Sequence, residues 1–345
     1  MAAQPRSAII ATGSALPERI VTNEELSAWV GLSPEAIVRR TGIRTRRWAA
    51  PVQATSDLAL RAAEAALKQA GQAAGELDAI IVATTSPDYY FPSTACLVQR
   101  ELKATRALAF DLAASCTGFL AALSVGDQWI KNGARRVLVL AAEIKSRVLD
   151  PKDRATAILF GDGAGAALLG PADAGDAGLR MIRLQADGRG HALIHLPAGG
   201  SRRPTSADTL AANLHTMRMR GPAVYRKAVT TLVGSVRALL DEAGLSIPAV
   251  SLYLFHQANR RLLDQVTERL KLEPRQCFTT IAETGNTSSA SLPIALDQAA
   301  RSGRLRPGDL VVLAAFGGGL TWGAALLQWS DGPRPSGGAS NAAGV

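Results

Sequence analysis

Cysteine and aromatic residues are scarce in this chain of 345 residues. It has three cysteines, and aromatic residues make up 5% of the sequence. Three cysteines are too few for a disulfide framework, and free thiols are typical of a reducing compartment, so we expect a cytoplasmic protein. Because rings are few, the abundant small and aliphatic side chains must fill the core.

Long apolar runs and long basic runs are also lacking. No charge-free stretch reaches the roughly 18 apolar residues of a membrane span, and no signal peptide is predicted at the N-terminus. The formal net charge is +9, but the basic residues are scattered in pairs without an aromatic stacking motif. This pattern disfavours nucleic acid and favours an acidic protein or a phosphate-bearing substrate as the partner. The sequence also has no cluster of metal ligands at typical spacing.

Short apolar runs alternate with segments of helical periodicity. Strands are predicted at 7–13, 78–86, 136–142, 251–256 and 309–315. Helices are predicted at 57–71, 117–132, 222–243, 258–270 and 287–302. Strands that alternate with helices in this way are typical of a layered α/β fold.

An internal repeat divides the chain. Val139-Leu-Ala-Ala recurs as Val312-Leu-Ala-Ala (312 − 139 = 173), and Asp127-Gln recurs as Asp297-Gln (297 − 127 = 170). Chance matches in an Ala- and Leu-rich chain are the alternative. We predict two similar halves, 1–172 and 173–330, and a disordered tail at 331–345.

The repeat offsets also predict where chemistry-bearing residues meet. At the offset of 170, Cys116 falls opposite Asn286, and at 173, His256 falls opposite Ala83. All four positions stand at predicted strand ends or helix starts, where open α/β folds place their sites. We therefore expect them to converge at the junction of the halves.

Each of these residues also has an ordinary structural interpretation. Cys116 precedes a predicted helix, whose N-terminus should lower the thiol pKa and favour the thiolate, but most cysteines are simply buried. His256 ends an apolar strand and could be a satisfied hydrogen-bonding group. Asn286 follows glycine, as turn and N-cap residues do. These alternatives stay open on the residues alone.

Two glycine-rich segments could hold phosphate or approach a reacting oxygen. Phe316-Gly-Gly-Gly-Leu-Thr-Trp-Gly follows a predicted strand but lacks the P-loop lysine and the dinucleotide spacing. Its backbone N–H groups are better suited to an oxyanion. Phe160-Gly-Asp-Gly-Ala-Gly precedes an apolar run and is predicted to be a structural turn.

Together these motifs resemble the β-ketoacyl-acyl-carrier-protein synthase III family of the thiolase superfamily. The resemblance extends over residues 7–329. It includes the motifs Thr41-Gly-Ile-Arg, Ala83-Thr-Thr-Ser, Phe91-Pro-Ser, Asp150-Pro-Lys-Asp-Arg, His256-Gln-Ala-Asn and Gly285-Asn-Thr-Ser. The resemblance implies an αβαβα thiolase-like fold with two pseudo-symmetric halves.

The resemblance implies a condensing reaction without a metal or redox cofactor. Cys116 would take an acyl group from acyl-CoA, with the N–H groups of Cys116 and Gly318 as the oxyanion hole. His256 and Asn286 would hold the carbonyl of a malonyl thioester on acyl carrier protein during decarboxylation.

Further residues match the family's substrate contacts. Positions for CoA and pantetheine are Arg40, Arg154, Gly221, Asn259 and Phe316. The acyl pocket would be formed by Phe91, Phe160 and Tyr225, with Phe91 reaching across a homodimer. Arg261, with Arg260 beside it, matches the carrier-protein contact.

Three departures indicate a specialised paralogue with a different acyl donor. Ala36 replaces a Trp that stacks on adenine, Gly221-Pro222 replaces a Gly-Asn pair, and the loop at 191–220 is longer than usual. Two alternative functions remain: a same-fold acyltransferase that does not decarboxylate, and a non-catalytic subunit that binds carrier protein. A thiolase is disfavoured because the Phe316 loop lacks a second cysteine.

Overall fold

The computed structural model describes residues 6–172 and 178–330. The predicted tail at 331–345 lies outside these residues. The strands are β1 Ser7–Ala15, β2 Ile20–Thr22, β3 Thr45–Arg47, β4 Ala79–Ala83, β5 Leu108–Leu112, β6 Val137–Glu143, β7 Gly163–Pro171, β8 Gly178–Ala186, β9 Ile194–His195, β10 Arg218–Met219, β11 Leu252–Phe255, β12 Leu310–Gly317 and β13 Thr321–Gln328.

Helices follow most of the strands. They are α1 Asn23–Val30, α2 Pro34–Thr41, α3 Thr55–Ala70, α4 Thr94–Glu101, α5 Gly118–Lys131, α6 Ala207–Ala211, α7 Gly221–Glu242, α8 Arg260–Leu270, α9 Ile281–Thr284 and α10 Ser291–Arg301. The five strands and five helices predicted from periodicity are confirmed within a few residues. None of the helices in the described ranges is both long and apolar enough to cross a bilayer.

Two main sheets carry the fold, and their strand orders match. One has the order β1-β7-β6-β4-β5 and the other β8-β13-β12-β11. In each sheet one strand, β7 or β13, runs antiparallel to both of its neighbours. The parallel pair β4 and β6 corresponds to β11 and β12, and β5 is an additional edge strand of the first sheet. The chain thus builds the same four-stranded arrangement twice.

Helices α5 and α10 lie between the two sheets, since each contacts strands of both. Their apolar faces, with Phe119 and Leu296, form one buried cluster with strand residues such as Val139 and Leu313. Helix α3 covers the outer face of the first sheet and α7 that of the second. The five layers of the predicted αβαβα arrangement are therefore present, which confirms the fold class.

The structure corrects the register of the repeat. A 3₁₀ turn at Ser115–Thr117 precedes α5, and one at Ser288–Ala290 precedes α10, an offset of 288 − 115 = 173. Both turns begin with a serine in the left-handed region, at φ 50 and φ 53. Cys116 therefore lies opposite Ser289 and not opposite Asn286, as the offset of 170 predicted. Helix α10 is three residues shorter than α5, and this difference produced the false offset.

Candidate active site

Cys116 lies in the tight turn between β5 and α5, close to the end of β12. A Cβ atom at Gly317 would come within 2.7 Å of the Cys116 backbone nitrogen, so only glycine permits this approach. The Cys116 Sγ atom is 3.5 Å from Ser288 Oγ. The two halves of the fold therefore meet at the sulfur.

The electrostatic setting of Cys116 differs from the sequence prediction. Burial raises the pKa of the Cys116 thiol, and the Ser288 hydroxyl and the Lys145 ammonium act in the opposite direction. The predicted lowering of this pKa is wrong because the sulfur is enclosed by protein. The resting cysteine is therefore mostly the neutral thiol at pH 7.

His256 follows β11 and is buried, with its Nδ1 atom 2.6 Å from Ser291 Oγ. The same hydroxyl oxygen accepts a hydrogen bond from the Gln257 N–H at 3.2 Å. Among the described residues, Nδ1 is the one acceptor within hydrogen-bond distance of the Ser291 hydroxyl proton. We therefore assign the ring proton to Nε2. Burial lowers the pKa of His256 to about 4, so the ring is neutral at pH 7.

Asn286 is held by its backbone and by its side-chain oxygen. Its N–H donates to Leu159 O at 2.8 Å, and its carbonyl accepts from Gly161 N–H at 3.0 Å. The Oδ1 atom accepts from Ser288 N–H at 2.9 Å. With Oδ1 engaged in this way, the amide turns its N–H donors away from Ser288, and one of them reaches Ala258 O at 3.4 Å.

A single cavity of about 790 Å³ brings most of the predicted residues together. Cys116, His256 and Asn286 all line it. Other predicted residues that line the cavity are Gly318, Phe316, Phe160, Arg40, Gly221, Asn259, Tyr225 and Arg261. The long loop at 191–220 covers part of it through the paired strands β9 and β10.

Three predicted residues do not line this cavity. Arg154 donates from Nε to Val30 O at 2.6 Å. Arg260 forms an ion pair with Asp264 on the surface of α8. Phe91 is 86% exposed in the single chain, beside the exposed Tyr89 and Tyr90. Its side chain is therefore available to another surface and not to this chain's own cavity.

The Gly318 N–H already has a partner in this structure. It donates to Ser115 Oγ at 3.2 Å. Ser115 also lines the cavity and stands directly before Cys116. Ser115 was not predicted from the sequence, although its position next to Cys116 was a signal for it.

Sequence reasoning also missed a buried polar cluster beside Cys116. Lys145 Nζ lies 2.9 Å from Glu143 Oε2. Glu143 Oε1 accepts from Ser288 Oγ at 3.2 Å and from Ser289 Oγ at 2.9 Å. Glu143 is the last residue of β6. Because the sequence predicts the site at strand ends, this position could have indicated Glu143 as a site residue. Within 6–172 and 178–330, no group of three or more His, Cys, Asp or Glu side chains could hold a metal ion.

A cysteine, a neutral histidine and an asparagine in one cavity between two repeated α/β halves define a condensing enzyme of thiolase fold. Models of 3-oxoacyl-[acyl-carrier-protein] synthase III match residues 110–188, and models of its C-terminal part match residues 240–329. The chain belongs to the β-ketoacyl-acyl-carrier-protein synthase III family.

Individual relatives agree with this assignment. The beta-ketoacyl-[acyl-carrier-protein] synthase III of Caldanaerobacter subterraneus subsp. tengcongensis is 45% identical, covering 93% of this chain and 97% of the relative. The 3-oxoacyl-[acyl-carrier-protein] synthase III of Aquifex aeolicus has a TM-score of 0.87 at 40% identity, covering 94% and 100%. The priming β-ketosynthase of the R1128 polyketide pathway has a TM-score of 0.88 at 34% identity, covering 96% and 99%.

Proposed function

We propose that this enzyme loads an acyl group from acyl-CoA on Cys116 and condenses it with a malonyl group carried on acyl carrier protein. The observation that carries the proposal is that Cys116, His256 and Asn286 line one cavity in a chain of this family. The products are CoA, CO₂ and a β-ketoacyl thioester on the carrier.

In the loading step, the Cys116 sulfur loses its proton and forms a bond to the acyl carbon, the bond to the CoA sulfur breaks, and the departing CoA thiolate takes up the proton. The N–H groups of Cys116 and Gly318 are the proposed donors to the oxyanion. Since Gly318 N–H donates to Ser115 Oγ in the resting site, the substrate oxygen would replace this hydroxyl as its acceptor. One such donor contributes about 3–4 kcal/mol to transition-state stabilisation.

In the condensing step, the malonyl C–C bond to the carboxylate breaks and the electron pair passes to the thioester carbonyl as an enolate. Nε2–H of His256 and the amide of Asn286 would donate to that oxygen. The neutral state of His256 supports this role, because a neutral donor with a proton on Nε2 needs no prior deprotonation. The enolate carbon then bonds to the acyl carbon, and Cys116 leaves as a thiolate that takes up a proton.

Residues that line the cavity or lie beside it are the proposed contacts for both substrates. Arg40, Asn259, Gly221 and Phe316 line the cavity and suit the CoA and pantetheine arm, while Arg154 would contact the nucleotide from outside. Arg261 lines the cavity, and Arg260 adds a second charge beside it. An acidic carrier protein would be attracted to this pair.

We also infer a homodimer, in which the exposed Tyr89, Tyr90 and Phe91 are covered by a second copy. A contiguous exposed aromatic patch of this kind is typical of interaction surfaces. Light scattering should then give twice the 36.0 kDa of one chain.

Cys96, Cys116 and Cys277 are free thiols, which supports a cytoplasmic location.

We further propose that residues 1–172 and 173–330 are pseudo-symmetric halves, supported by their matching strand orders. A specialised role is a separate part of the proposal. The departures at Ala36 and Pro222, and the long loop over the cavity, support a donor other than acetyl-CoA. A clear preference for acetyl-CoA would contradict this part alone.

The test is intact-mass measurement of the protein after incubation with acyl-CoAs, followed by measurement of CO₂ release from malonyl carrier protein. We expect a mass increase by one acyl group in the wild type and none in Cys116→Ala. Acyl loading without malonyl-dependent CO₂ release would instead support the non-decarboxylating acyltransferase. Full pathway activity with Cys116→Ala would support the non-catalytic subunit.

A further inference from the structure

The acyl-accepting cysteine shares its cavity with a buried lysine that the proposed mechanism does not use. Lys145 follows β6 and lines the same cavity as Cys116, with 6% of its side chain exposed. It forms an ion pair with Glu143, whose side chain is fully buried. A buried ion pair costs more in desolvation than an apolar pair, so its presence at a substrate cavity needs an explanation.

Glu143 has enough hydrogen-bond donors without any ligand. It accepts from Thr85 N–H at 3.2 Å, Ser86 Oγ at 2.6 Å and Ser289 Oγ at 2.9 Å, and also from Ser288 Oγ. Burial alone would raise the Glu143 pKa, but Lys145 and these hydroxyls hold it below its ordinary value. The carboxylate is therefore charged and fully coordinated.

Lys145 has one more donor than it has partners. An ammonium group carries three N–H donors. In the part of the chain that the structure describes, Nζ has two acceptors, Glu143 Oε2 and Thr85 Oγ1. Because the rest of the side chain is buried and its exposed surface faces the cavity, a third acceptor can reach it only from a molecule in the cavity.

The charge balance restricts what that acceptor can be. Glu143 already neutralises Lys145, so a carboxylate on the substrate would add an uncompensated negative charge beside the sulfur, where a thiolate must also form. An uncharged oxygen satisfies the remaining N–H at no such cost. The cavity wall is otherwise rich in apolar side chains, including Val148, Ile158 and Leu232.

The two members of the pair act on the nucleophile in opposite directions. Lys145 lowers the Cys116 pKa and Glu143 raises it, and both effects are smaller than that of burial. Neither effect uses the third N–H donor of Lys145, which an acceptor on the acyl group would engage.

We propose that the acyl group loaded on Cys116 carries an uncharged oxygen, as hydroxyl or keto, which accepts a hydrogen bond from Lys145. This proposal rests on the proposed function and adds the substrate class. Lys145 is then a specificity residue, and Thr85 and Glu143 hold its ammonium in place.

The first experiment compares loading rates of the wild type with butyryl-CoA, 2- and 3-hydroxybutyryl-CoA, 3-oxobutyryl-CoA and succinyl-CoA, by intact mass. At least one hydroxy or oxo donor should give a kcat/KM for loading about 10- to 100-fold above butyryl-CoA, the range for a hydrogen bond from a charged donor. Succinyl-CoA should show no such gain.

The second experiment uses Lys145→Met and the charge-balanced pair Lys145→Met with Glu143→Gln. The ratio of the loading rate with the oxygenated donor to that with butyryl-CoA should fall to near one in both variants. The exposed Lys152→Met variant is the matched control and should keep the wild-type preference.

Three results would overturn the proposal. These are butyryl-CoA equalling or exceeding every oxygenated donor in the wild type, succinyl-CoA being preferred, or the preference surviving both lysine variants. The comparison of acyl-CoA donors with the wild-type enzyme tests the proposal even where a variant fails to fold. Loading by none of these donors, nor by any other acyl-CoA, would instead remove the proposed function and this inference with it.

Discussion

Ser291 orients His256 through one hydroxyl group. The hydroxyl oxygen accepts from Gln257 N–H, and its proton is directed to Nδ1, which leaves the ring proton on Nε2. The ring is neutral over the physiological range because burial lowers its pKa to about 4. Under the proposed role of His256, Ser291 is a positioning residue for the condensing step and not for acyl loading.

We predict that Ser291→Ala slows malonyl-dependent CO₂ release about tenfold, the worth of one hydrogen bond, and leaves Cys116 loading unchanged. A histidine of ordinary pKa would become charged as the pH falls through 6.5, whereas buried His256 stays neutral. Wild-type CO₂ release should thus persist from pH 7 to pH 5.5. In Ser291→Ala, Nδ1 has lost the hydroxyl donor and takes up a proton more easily. CO₂ release by this variant should therefore begin to fall at a higher pH than in the wild type.

The matched control is Ser302→Ala, at the exposed C-terminal end of the same helix. It should behave as wild type in both assays. If Ser291→Ala slowed loading and CO₂ release equally and left the pH profile unmoved, its role would be structural only.

At the scale of elements, the segment before β7 positions Asn286. Leu159 and Gly161 hold the Asn286 backbone between them, and Asp162 fixes the segment by accepting from Ala49 N–H at 2.8 Å. A Cβ atom at Gly161 would lie 2.3 Å from Thr284 O. The motif that was predicted to be a structural turn thus holds Asn286 in place by close backbone contact.

We predict that Gly161→Ala destabilises the protein by about 2–3 kcal/mol, because backbone atoms cannot yield at that distance. CO₂ release should fall more than Cys116 loading, since Asn286 moves and the nucleophile turn does not. Denaturant unfolding and the two assays measure this. Gly75→Ala, with no atom within 4 Å of its new Cβ, should stay within about 0.5 kcal/mol of wild type. Equal effects of both substitutions would contradict the argument.

At the scale of the whole molecule, the net charge of +9 favours an acidic partner. Such a surface speeds encounter with an acidic protein and loses this advantage as salt increases. The attraction is useful only if it delivers the carrier to the cavity, where Arg261 lies.

We predict that Arg261→Glu raises the KM for malonyl carrier protein about five- to tenfold at low salt with little change in kcat. The exposed Arg106→Glu variant makes the same change in net charge away from the cavity and should have a much smaller effect. Steady-state kinetics at two ionic strengths measure both. An equal rise in both variants would mean that net charge alone attracts the carrier.

The sequence predicts five apolar strands, and the strands that it does not predict include β5 and β8, whose burial is mixed. Strand β6 is buried at every position and was found by its continuous apolar run. Strand β5 is exposed or half-buried along its length, and β8 becomes exposed after its first residues, so neither has a clear pattern. Hydrophobic periodicity follows from the regular burial of side chains, and β5 and β8 lack such a regular pattern of burial.

The residues of the candidate site also divide into those that the sequence predicts and those that it misses. Cys116, His256 and Asn286 stand in motifs that local sequence makes visible. The contacts of Glu143 with Ser288 and Ser289, and of Ser115 with Gly318, depend on the packing of segments distant in sequence. The true equivalence of Ser115 and Ser288 also needed backbone angles, because helix length hid the register.

The shared cavity has a consequence for the order of events. Cys116, the proposed acyl acceptor, and His256 and Asn286, the proposed malonyl-binding residues, line one cavity of about 790 Å³. CoA and the carrier's pantetheine arm cannot both fill it. CoA therefore has to leave before the pantetheine arm of the carrier protein enters. Under the proposed function, acyl-CoA and malonyl carrier protein thus compete for the unloaded enzyme. An excess of malonyl carrier in the cell would then slow the very reaction that consumes it.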